Sequence, residues 1–266
     1  MPNPLVSIIV AARNAEPTIR SCLNSLSANL QEVPEEYWEV IFVDGGCTDA
    51  TLDIVRTFSL RKKSLCAPRG ISNAYNVGVA AAHGEYTLFL NSDDEWAAGF
   101  LRLVVTQVQE QKRLGKAENS VICTSICFID RCGRELYRRR PPLYVGWIHK
   151  RQSLILHPNA AYPTELLKAH PFPVYPDLRP ADHEQVYMLM KHARSVRLKE
   201  AVYRYRIWAN SGTVVRAREM GTKARSLADC ALRIPCRLYV HAFESRVLMR
   251  AIALVFQKRS FWRDTQ

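Results

Sequence analysis

The sequence predicts an α/β protein with a mostly parallel, twisted sheet flanked by helices. Apolar runs long enough for strands alternate with segments in which apolar residues recur at helical spacing. The strand runs are apolar at successive positions, as expected where both faces of a parallel sheet are covered. Polar residues follow several of these runs, and ligands bind beyond the carboxyl ends of strands in such sheets. The pattern therefore predicts both a fold class and the edge that carries the site.

The first half of the chain contains the most regular alternation. Strands are predicted at residues 5–11, 38–44, 64–68 and 85–91. Helices are predicted between and after them, at residues 14–30, 49–58, 72–82 and 97–108. Thr48 is the predicted N-cap of the second helix, because a threonine hydroxyl can accept a hydrogen bond from a first-turn N–H. Four strands joined by helices are typical of a doubly wound sheet.

The second half of the chain is less regular. A strand is predicted at residues 121–130, a turn at 131–134, a short helix at 164–169, a longer helix at 181–193 and two short strands within 196–207. From Arg218 onward the chain is basic and has helical spacing. We therefore expect one large domain over residues 1–216 and a helical, basic C-terminal extension over residues 217–266.

Charge is the unusual feature of the composition. The 266 residues include 37 Lys and Arg against 25 Asp and Glu, a formal net charge of +12, which attracts polyanions, anionic lipids or phosphate-bearing substrates. The segment 131–151 holds seven of the basic residues against one acid, Glu135. It is interpreted either as a solvated loop or as a flap that screens pyrophosphate or recognises an anionic, lipid-linked acceptor, with Tyr144 and Trp147 placed to pack on a sugar ring.

Eight cysteines without regular spacing favour reduced thiols over a disulfide framework. The N-terminus lacks the basic and long apolar regions of a signal peptide, and no apolar stretch approaches the ~18 residues of a membrane span. These features predict a cytoplasmic protein. The apolar and basic C-terminal extension allows two interpretations, a helix packed on the catalytic domain or an interfacial helix on the inner face of the cell membrane.

Polar clusters follow three of the predicted strands. They are Ala12-Arg13-Asn14, Asp44-Gly45-Gly46 and Asn91-Ser92-Asp93-Asp94. Because strand ends of a parallel sheet share one edge, the acidic clusters predict an oxygen-ligand site for Mg²⁺ or Mn²⁺. The alternative is that adjacent acids after a strand only begin a turn or cap the next helix.

Four motifs in order resemble those of inverting, GT-A-fold glycosyltransferases of family 2. They are VSIIVAARNAEPTIRSCLNSL, VIFVDGGCTDATLDIV, RGISNAYNVGVAAAHGEYTLFLNSDD and ADHEQVYML. The second is close to the family's VDGGSTDGT, from which Cys47 and Ala50 depart. The resemblance covers roughly residues 5–215 and implies a GT-A-type, Rossmann-like domain over residues 1–216.

The resemblance implies a role for each matching residue on the donor side. Ala12, Arg13 and Asp44 would hold the nucleotide base, and a carboxylate such as Asp44 suits the imide N–H of uracil. Asp94 would ligate the metal that bridges the two phosphates, and Asp93 would reach the ribose or the metal. The alternative for Asp44 is a turn former before two glycines.

Further motif positions imply roles near the phosphates and the acceptor. Asp182 matches the general base, although an acid at the start of a helix is also explained by the helix dipole. Arg69 matches a basic position near the donor phosphates. Asn73 replaces the family's usual acid and puts a donor-sugar contact there in doubt. His157 resembles a family histidine near the acceptor pocket, where it could contact phosphate or acceptor, and the alternative is a structural residue. Glu184 is a second acid near the matched base.

These expectations define an inverting transferase that moves a sugar from a nucleoside diphosphate donor, with UDP favoured, to a hydroxyl of a glycan or lipid-linked acceptor in cell-surface polysaccharide or glycolipid synthesis. No nucleic-acid partner is expected. The alternatives are a nucleic-acid-binding protein that uses the +12 charge, and a catalytically inactive relative that acts as a partner subunit. A sugar nucleotidyltransferase is disfavoured, because AARNAEPT is not the glycine- and arginine-rich loop of that class.

Overall fold

The computed structural model describes residues 4–141, 144, 155–176 and 181–207. Trp147 and the predicted C-terminal extension 217–266, with its boundary, lie outside these residues. The described residues form two compact units. One comprises residues 4–128 and 138–206, and the other comprises residues 129–137 and Ile207.

The described strands include the predicted ones and three that the sequence did not predict, at residues 95–96, 135–139 and 160–163. The strands are β1 (Val6–Ala12), β2 (Trp38–Asp44), β3 (Lys62–Cys66), β4 (Tyr86–Asn91), β5 (Glu95–Trp96), β6 (Ser120–Ile129), β7 (Glu135–Arg139), β8 (Ala160–Pro163) and β9 (Arg194–Arg206). The helices are α1 (Ile19–Leu30), α2 (Thr51–Arg56), α3 (Ile71–Ala80), α4 (Phe100–Arg113), α5 (Thr164–Ala169) and α6 (Asp182–Leu189).

The sheet has the order β3-β2-β1-β4-β8-β6-β9-β5. β3, β2, β1 and β4 pair in parallel, as the alternation of strands and helices predicts. Beyond β4 the pairing of β8 with β4, of β6 with β8 and of β5 with β9 is antiparallel, so the sheet is mixed. The parallel half brings the ends of β1, β2 and β4 to one edge, where the predicted site lies.

Apolar residues of the parallel strands alternate between two core layers. Val6, Ile8 and Val10 of β1 pack in the layer that contains α1 and α4. Ile9 and Ala11 pack in the opposite layer, with α3 and α6. Both faces of β1 are therefore covered, which explains why Ser7 is its one polar residue.

Three local predictions differ from the structure. α1 begins at Ile19, because Asn14 has a φ of 48° and cannot continue a right-handed helix. α2 begins at Thr51, and the carboxylate of Asp49, not Thr48, accepts the Thr51 N–H at 3.1 Å. The two short strands expected within 196–207 form one strand, β9.

Candidate active site at the carboxyl edge of the sheet

The ends of β1, β2 and β4 lie side by side, as predicted. Ala12 is opposite Asp44 in the β1–β2 register, and Ala11 is opposite Asn91 in the β1–β4 register. Because adjacent strands are about 4.8 Å apart, the ends of β2 and β4 are about 10 Å apart across β1. On the outer side of β2, the exposed Cys66 of β3 is the register partner of Asp44.

Asp44 organises the turn after β2 with one of its two carboxylate oxygens. Oδ1 accepts hydrogen bonds from the backbone N–H groups of Gly46 at 2.9 Å and Cys47 at 2.8 Å. Oδ2 accepts neither of these two backbone N–H groups, and the side chain also has a hydrogen bond with the Cys47 thiol. The side chain is half-buried. Asp44 is thus a turn former, as the alternative held, and retains an acceptor for a ligand.

Contacts between the turns after β1 and β2 place Arg13 beside Asp44. Gly45 donates its N–H to Ala12 O at 2.9 Å. A Cβ at Gly45 would lie 3.3 Å from Ala12 O and 3.4 Å from Arg13 Cβ, so a side chain there would push the turns apart. The side chain of Asn14 accepts the Thr48 N–H at 2.8 Å. Ala12 is buried and the Arg13 side chain is exposed at this edge.

The adjacent acids Asp93 and Asp94 occupy different environments. Asp94 is only 1% exposed, whereas Asp93 is partly exposed. Asp94 Oδ2 accepts hydrogen bonds from Tyr203 Oη at 2.7 Å and Asn91 Nδ2 at 3.0 Å, and Oδ1 accepts the Arg206 N–H at 2.8 Å. Both oxygens of Asp94 thus hold the turn after β4 against β9. The role of Asp94 as a metal ligand stays a prediction, because a carboxylate that ligates a metal can also accept hydrogen bonds.

Electrostatics agree with a structural role for Asp94. Burial and, next, the negative charge of Asp93 raise the pKa of Asp94 well above its usual value. The hydrogen bonds from Arg206, Tyr203 and Asn91 act in the opposite direction. The carboxyl group of Asp94 is therefore fixed in place by its donors.

Arg206 explains how three consecutive acids follow an apolar strand. Its guanidinium pairs with Glu95, and its Nε donates to the backbone oxygen of Asp93 at 2.9 Å. Arg204 Nε lies 3.0 Å from the second oxygen of Glu95. Arg206 is 3% exposed, so this charge is buried with its partners. The opposing charge for Asp94 and Glu95 thus comes from the end of β9.

Asp182 is the first residue of α6 and faces the same region. Its side chain is partly exposed, and the N-cap position before it is Ala181, whose methyl side chain cannot cap the helix. Burial, followed by the charges of Asp182, Asp94 and Asp93 in that order, raises the pKa of Tyr75. Because Coulomb interactions weaken with distance, these three carboxylates share the neighbourhood of Tyr75. The Tyr75 hydroxyl itself donates to Asn91 Oδ1 at 2.6 Å.

His157 does not reach a ligand surface. The imidazole is 1% exposed among aromatic rings, with centroid distances of 4.2 Å to Phe89, 4.8 Å to Phe172, 5.0 Å to Tyr75 and 5.4 Å to Tyr162. Neither ring nitrogen has a hydrogen-bond partner in the described structure. Burial lowers the pKa of His157 to about 3. The structural alternative for His157 therefore replaces the predicted contact with phosphate or acceptor.

The remaining predicted residues lie in three settings. Arg69 is exposed just before α3, beyond the end of β3. Asn73 Nδ2 donates to Arg69 O at 2.8 Å, so this amide closes the first turn of α3. Glu184 is exposed and accepts a hydrogen bond from Tyr175, which occupies the carboxylate away from Asp182.

The residues present fit a divalent cation held mainly by its substrate. Within the described ranges, no three His, Cys, Asp or Glu side chains are grouped as a cation site. Mg²⁺ is commonly bound by one or two carboxylates together with substrate phosphates, and Mn²⁺ has similar preferences. Asp93, partly exposed at the carboxyl edge, meets this requirement, whereas a dedicated protein cage does not exist among these residues.

The sequence reasoning did not find the residues that support this edge. Tyr75, Asn91, Tyr203 and Arg206 bind one another or Asp94. Tyr203 and Arg206 lie more than 100 residues from Asp94, and no local pattern connects them. A weak signal existed for Asn91, because the run LFLNSDD ends its strand with a polar residue that must face either the site or a partner.

Comparisons with known proteins identify the family of the chain. The family model "Glycosyl transferase family 2" matches residues 7–161, more than half of the chain. The chain therefore belongs to glycosyltransferase family 2. "Putative glycosyltransferase EpsH" of Bacillus subtilis (strain 168) is 27% identical over 228 residues, which cover 79% of this chain and 63% of EpsH.

Two solved structures illustrate the shared fold. S. aureus TarS 1–349 in complex with UDP-GlcNAc has a TM-score of 0.58 and 25% identity, over 76% of this chain and 58% of TarS 1–349. Mannosyltransferase PcManGT from Pyrobaculum calidifontis, in complex with GDP-Man and Mn²⁺, has a TM-score of 0.58 and 18% identity, over 97% of this chain and 76% of PcManGT. The predicted GT-A-type α/β fold is confirmed.

Two further facts bound the comparison. The chain spans less than two thirds of the length of EpsH and of TarS 1–349. Across the residues that the structure describes, no helix has the length and apolar character needed to cross a membrane.

Proposed function

We propose that the protein is an inverting, metal-dependent glycosyltransferase that uses a UDP-sugar. The observation that carries this proposal is a family 2 fold in which β2 ends at Asp44 beside the end of β1, and in which the charges of Asp93 and Asp182 both act on Tyr75. In the reaction, the acceptor hydroxyl loses its proton to Asp182 while its oxygen bonds to the sugar's anomeric carbon. The bond from that carbon to the diphosphate oxygen breaks, and UDP leaves with the bonding electrons.

Donor recognition is assigned to the ends of β1 and β2. Asp44 Oδ2 is available to accept the N3–H of uracil, while Oδ1 stays on its own turn. Arg13, exposed beside Asp44, would cover the base, and Arg69 would face the diphosphate from the start of α3. The UDP-GlcNAc complex of the TarS relative supports UDP as the nucleotide.

Metal binding is assigned to Asp93 with the donor's phosphates. When bound, the metal ion would act as a Lewis acid and stabilise the leaving diphosphate. The chain's own contribution is to hold the turn of Asp93 in place, through Asp94 and Arg206. The Mn²⁺ complex of PcManGT supports metal use within this fold.

The acceptor is proposed to be a glycan or lipid-linked hydroxyl compound used to build a surface polysaccharide or glycolipid. The net charge of +12 suits an anionic acceptor or an anionic membrane surface. Binding at the inner face of the membrane through the C-terminal basic segment is part of this proposal. A nucleic-acid-binding function is disfavoured, because Asp44 and Asp93 would repel phosphates at the edge where a ligand binds.

The first experiment compares thermal unfolding with UDP, dTDP, GDP and CDP, each with and without Mn²⁺. A nucleotide at about 100 times its Kd stabilises the fold by about 2.7 kcal/mol. We expect the largest shift with UDP and Mn²⁺, and loss of the Mn²⁺-dependent part in Asp93→Asn. Shifts with single-stranded nucleic acid but with no nucleotide would contradict the proposal.

Donor hydrolysis then separates an enzyme from an inactive relative. UDP release is measured with UDP-glucose, UDP-galactose and UDP-GlcNAc, using water as the acceptor. Release that requires both Mn²⁺ and Asp182 would support the transferase. Nucleotide binding without release from any donor, and without transfer to polyprenyl-linked or glycan acceptors, would favour the inactive partner subunit.

A further inference from the structure

We propose that residues 170–176 form a strap between two helices. It fixes α6, which begins with the proposed base Asp182, to α3, which begins just after Arg69, and Asn76 of α3 is its positioning residue. This inference rests on the proposed function, because it concerns the placement of Asp182. The strap lies between the short helix α5 and the start of α6, and all of its described contacts belong to one compact unit.

Asn76 grips the strap with both groups of its amide. Nδ2 donates to Phe172 O at 2.9 Å, and Oδ1 accepts the Phe172 N–H at 2.8 Å. The two residues are 96 positions apart. One side chain thus satisfies both backbone groups of one strap residue, a pairing that neighbouring β-strands make and that only an amide side chain can reproduce. The grip fixes the position of Phe172 and also the direction of its backbone.

The side chain of Phe172 carries this position into the core beside the site. It is 3% exposed and packs 5.1 Å from Tyr75 and 4.8 Å from His157 between ring centroids. Tyr75 directly precedes Asn76 in α3, and its hydroxyl holds Asn91 at the end of β4. The strap is therefore linked to the turn that contains Asp93 as well as to α3.

The other connections of the strap lead to α6. Gln185 Nε2 donates to the backbone oxygen of His170, and Tyr175 Oη donates to Glu184. Gln185, which donates, and Glu184, which accepts, both lie within one turn of Asp182 in α6. Because the N-cap residue Ala181 has no side chain that can cap the helix, the position of Asp182 depends on how α6 is fastened.

Glu184 and Asn76 both hold the strap in place. Glu184 serves the strap through Tyr175, and Asn76 serves it through Phe172. A general base must lie within hydrogen-bond reach of the acceptor hydroxyl, on the face opposite the leaving group. Displacement of a reacting group by about 1 Å can cost about 10²-fold in rate. Loss of the grip should therefore reduce turnover while the donor site stays intact.

The test uses UDP release from the donor that the full-length wild-type protein hydrolyses fastest. For Asn76→Ala we expect kcat to fall about tenfold to a hundredfold, with KM for the donor and the thermal shift by UDP and Mn²⁺ close to wild type. Asn76→Asp keeps the acceptor for Phe172 N–H and loses the donor to Phe172 O, so its kcat should lie between those of Asn76→Ala and the wild type.

The matched control is Gln111→Ala. Gln111 is a buried amide of α4 whose Oε1 accepts a hydrogen bond from Ser120 Oγ at 3.2 Å. Ser120 is the first residue of β6, and its backbone oxygen accepts a hydrogen bond from Tyr86 Oη where β4 begins, at the edge opposite the site. The Gln111→Ala variant should lose stability as Asn76→Ala does, but its kcat should equal that of the wild type. Equal kcat in Asn76→Ala and Gln111→Ala would overturn the proposal. So would a loss of UDP-dependent stabilisation in Asn76→Ala, because Asn76 would then belong to the donor site.

Two further readouts test the strap, and the second of them does not depend on the transferase activity. In a double-mutant cycle, the kcat effects of Asn76→Ala and Gln185→Ala should be less than multiplicative, because both release the same strap. Hydrogen exchange needs no substrate, and Asn76→Ala should speed exchange at the Phe172 amide and in the first turn of α6. Unchanged exchange in α6 would refute the strap, whereas absent UDP binding and release in the wild type would refute the proposed function.

Discussion

The two edges of the parallel sheet carry acids of different kinds. Where the strands begin, Glu39 Oε1 accepts hydrogen bonds from Ser7 Oγ at 2.5 Å, His83 N at 2.6 Å and Gly84 N at 3.2 Å, and Oε2 lies 3.3 Å from His83 Nδ1. Where the strands end, Asp44 accepts both of its backbone N–H hydrogen bonds with Oδ1 and neither with Oδ2. A carboxylate with both oxygens engaged holds the fold, and one with an oxygen in reserve can meet a ligand.

Asp94 shows that position at the site edge does not decide this difference. It lies beside Asp93, yet its oxygens are used as fully as those of Glu39. The distinction between the two kinds of acid therefore follows hydrogen bonding and burial, and it predicts which substitutions affect catalysis and which affect only stability.

Asp182→Asn should have the largest effect. The amide is isosteric with the carboxylate but cannot accept the acceptor's proton at neutral pH. We expect UDP release or transfer to fall about 10³-fold, because general base catalysis contributes about 10²–10⁴-fold. Stabilisation by UDP and Mn²⁺ should match wild type, which serves as the control for folding. Full turnover in the variant would show that Asp182 is not the base.

Between pH 7 and pH 5, the free energy of unfolding of His157→Phe should decrease by about 2 kcal/mol less than that of the wild type. The folded pKa of about 3 lies below the unfolded value of about 6.5, so the contribution of neutral His157 to stability is complete above pH 6.5 and is lost as pH falls toward 3. At pH 5 this loss is about 2 kcal/mol. Urea unfolding at pH 7 and pH 5 measures it, and an equal pH dependence in both proteins would contradict the burial of a neutral imidazole.

Asp44→Asn should weaken UDP binding about tenfold, or about 1.4 kcal/mol. The amide can keep the turn through its oxygen but presents a donor to the N3–H of uracil. Titration calorimetry with UDP and Mn²⁺ gives the affinity, and CDP is the matched ligand because its base offers an acceptor at the equivalent position. If UDP and CDP weakened alike, Asp44 would not read the base.

Glu39→Ala should have the smallest effect and should confine it to stability. The Ser7 hydroxyl and the Gly84 N–H lose their shared acceptor, at a cost of about 1 kcal/mol because the site is partly solvated. Chemical unfolding should show this decrease, with kcat and donor KM as in the wild type. A comparable loss of kcat would mean that the two edges of the sheet are not functionally separate.

Local sequence patterns contained enough information for the parallel half of the fold. The apolar runs and helical spacings placed β1, β2, β4 and their helices, because each element buries residues at its own period. The rule on strand ends then placed Asp44 and Asp93 at one edge. These features depend on contacts within or between successive elements.

The rest of the site depends on residues that are far apart in the chain. No local pattern near Asp94 predicts the hydrogen bonds that its oxygens accept from Tyr203 and Arg206. The sequence also predicted two short strands where the structure has the single strand β9. His157 becomes buried only when Phe89 and Phe172 close over it from other elements. Burial of a polar group is set by tertiary packing, which periodicity in one segment does not encode.

The register of Cys66 with Asp44 offers a way to observe the molecule at work. Burial, with the hydrogen bond and charge of Asp44 added, raises the pKa of Cys47 to about 11, so about one in ten thousand of its thiols is ionised at pH 7. Cys66 is exposed on the neighbouring strand. A fluorescent maleimide coupled there would sit next to the base pocket and report nucleotide exchange in real time.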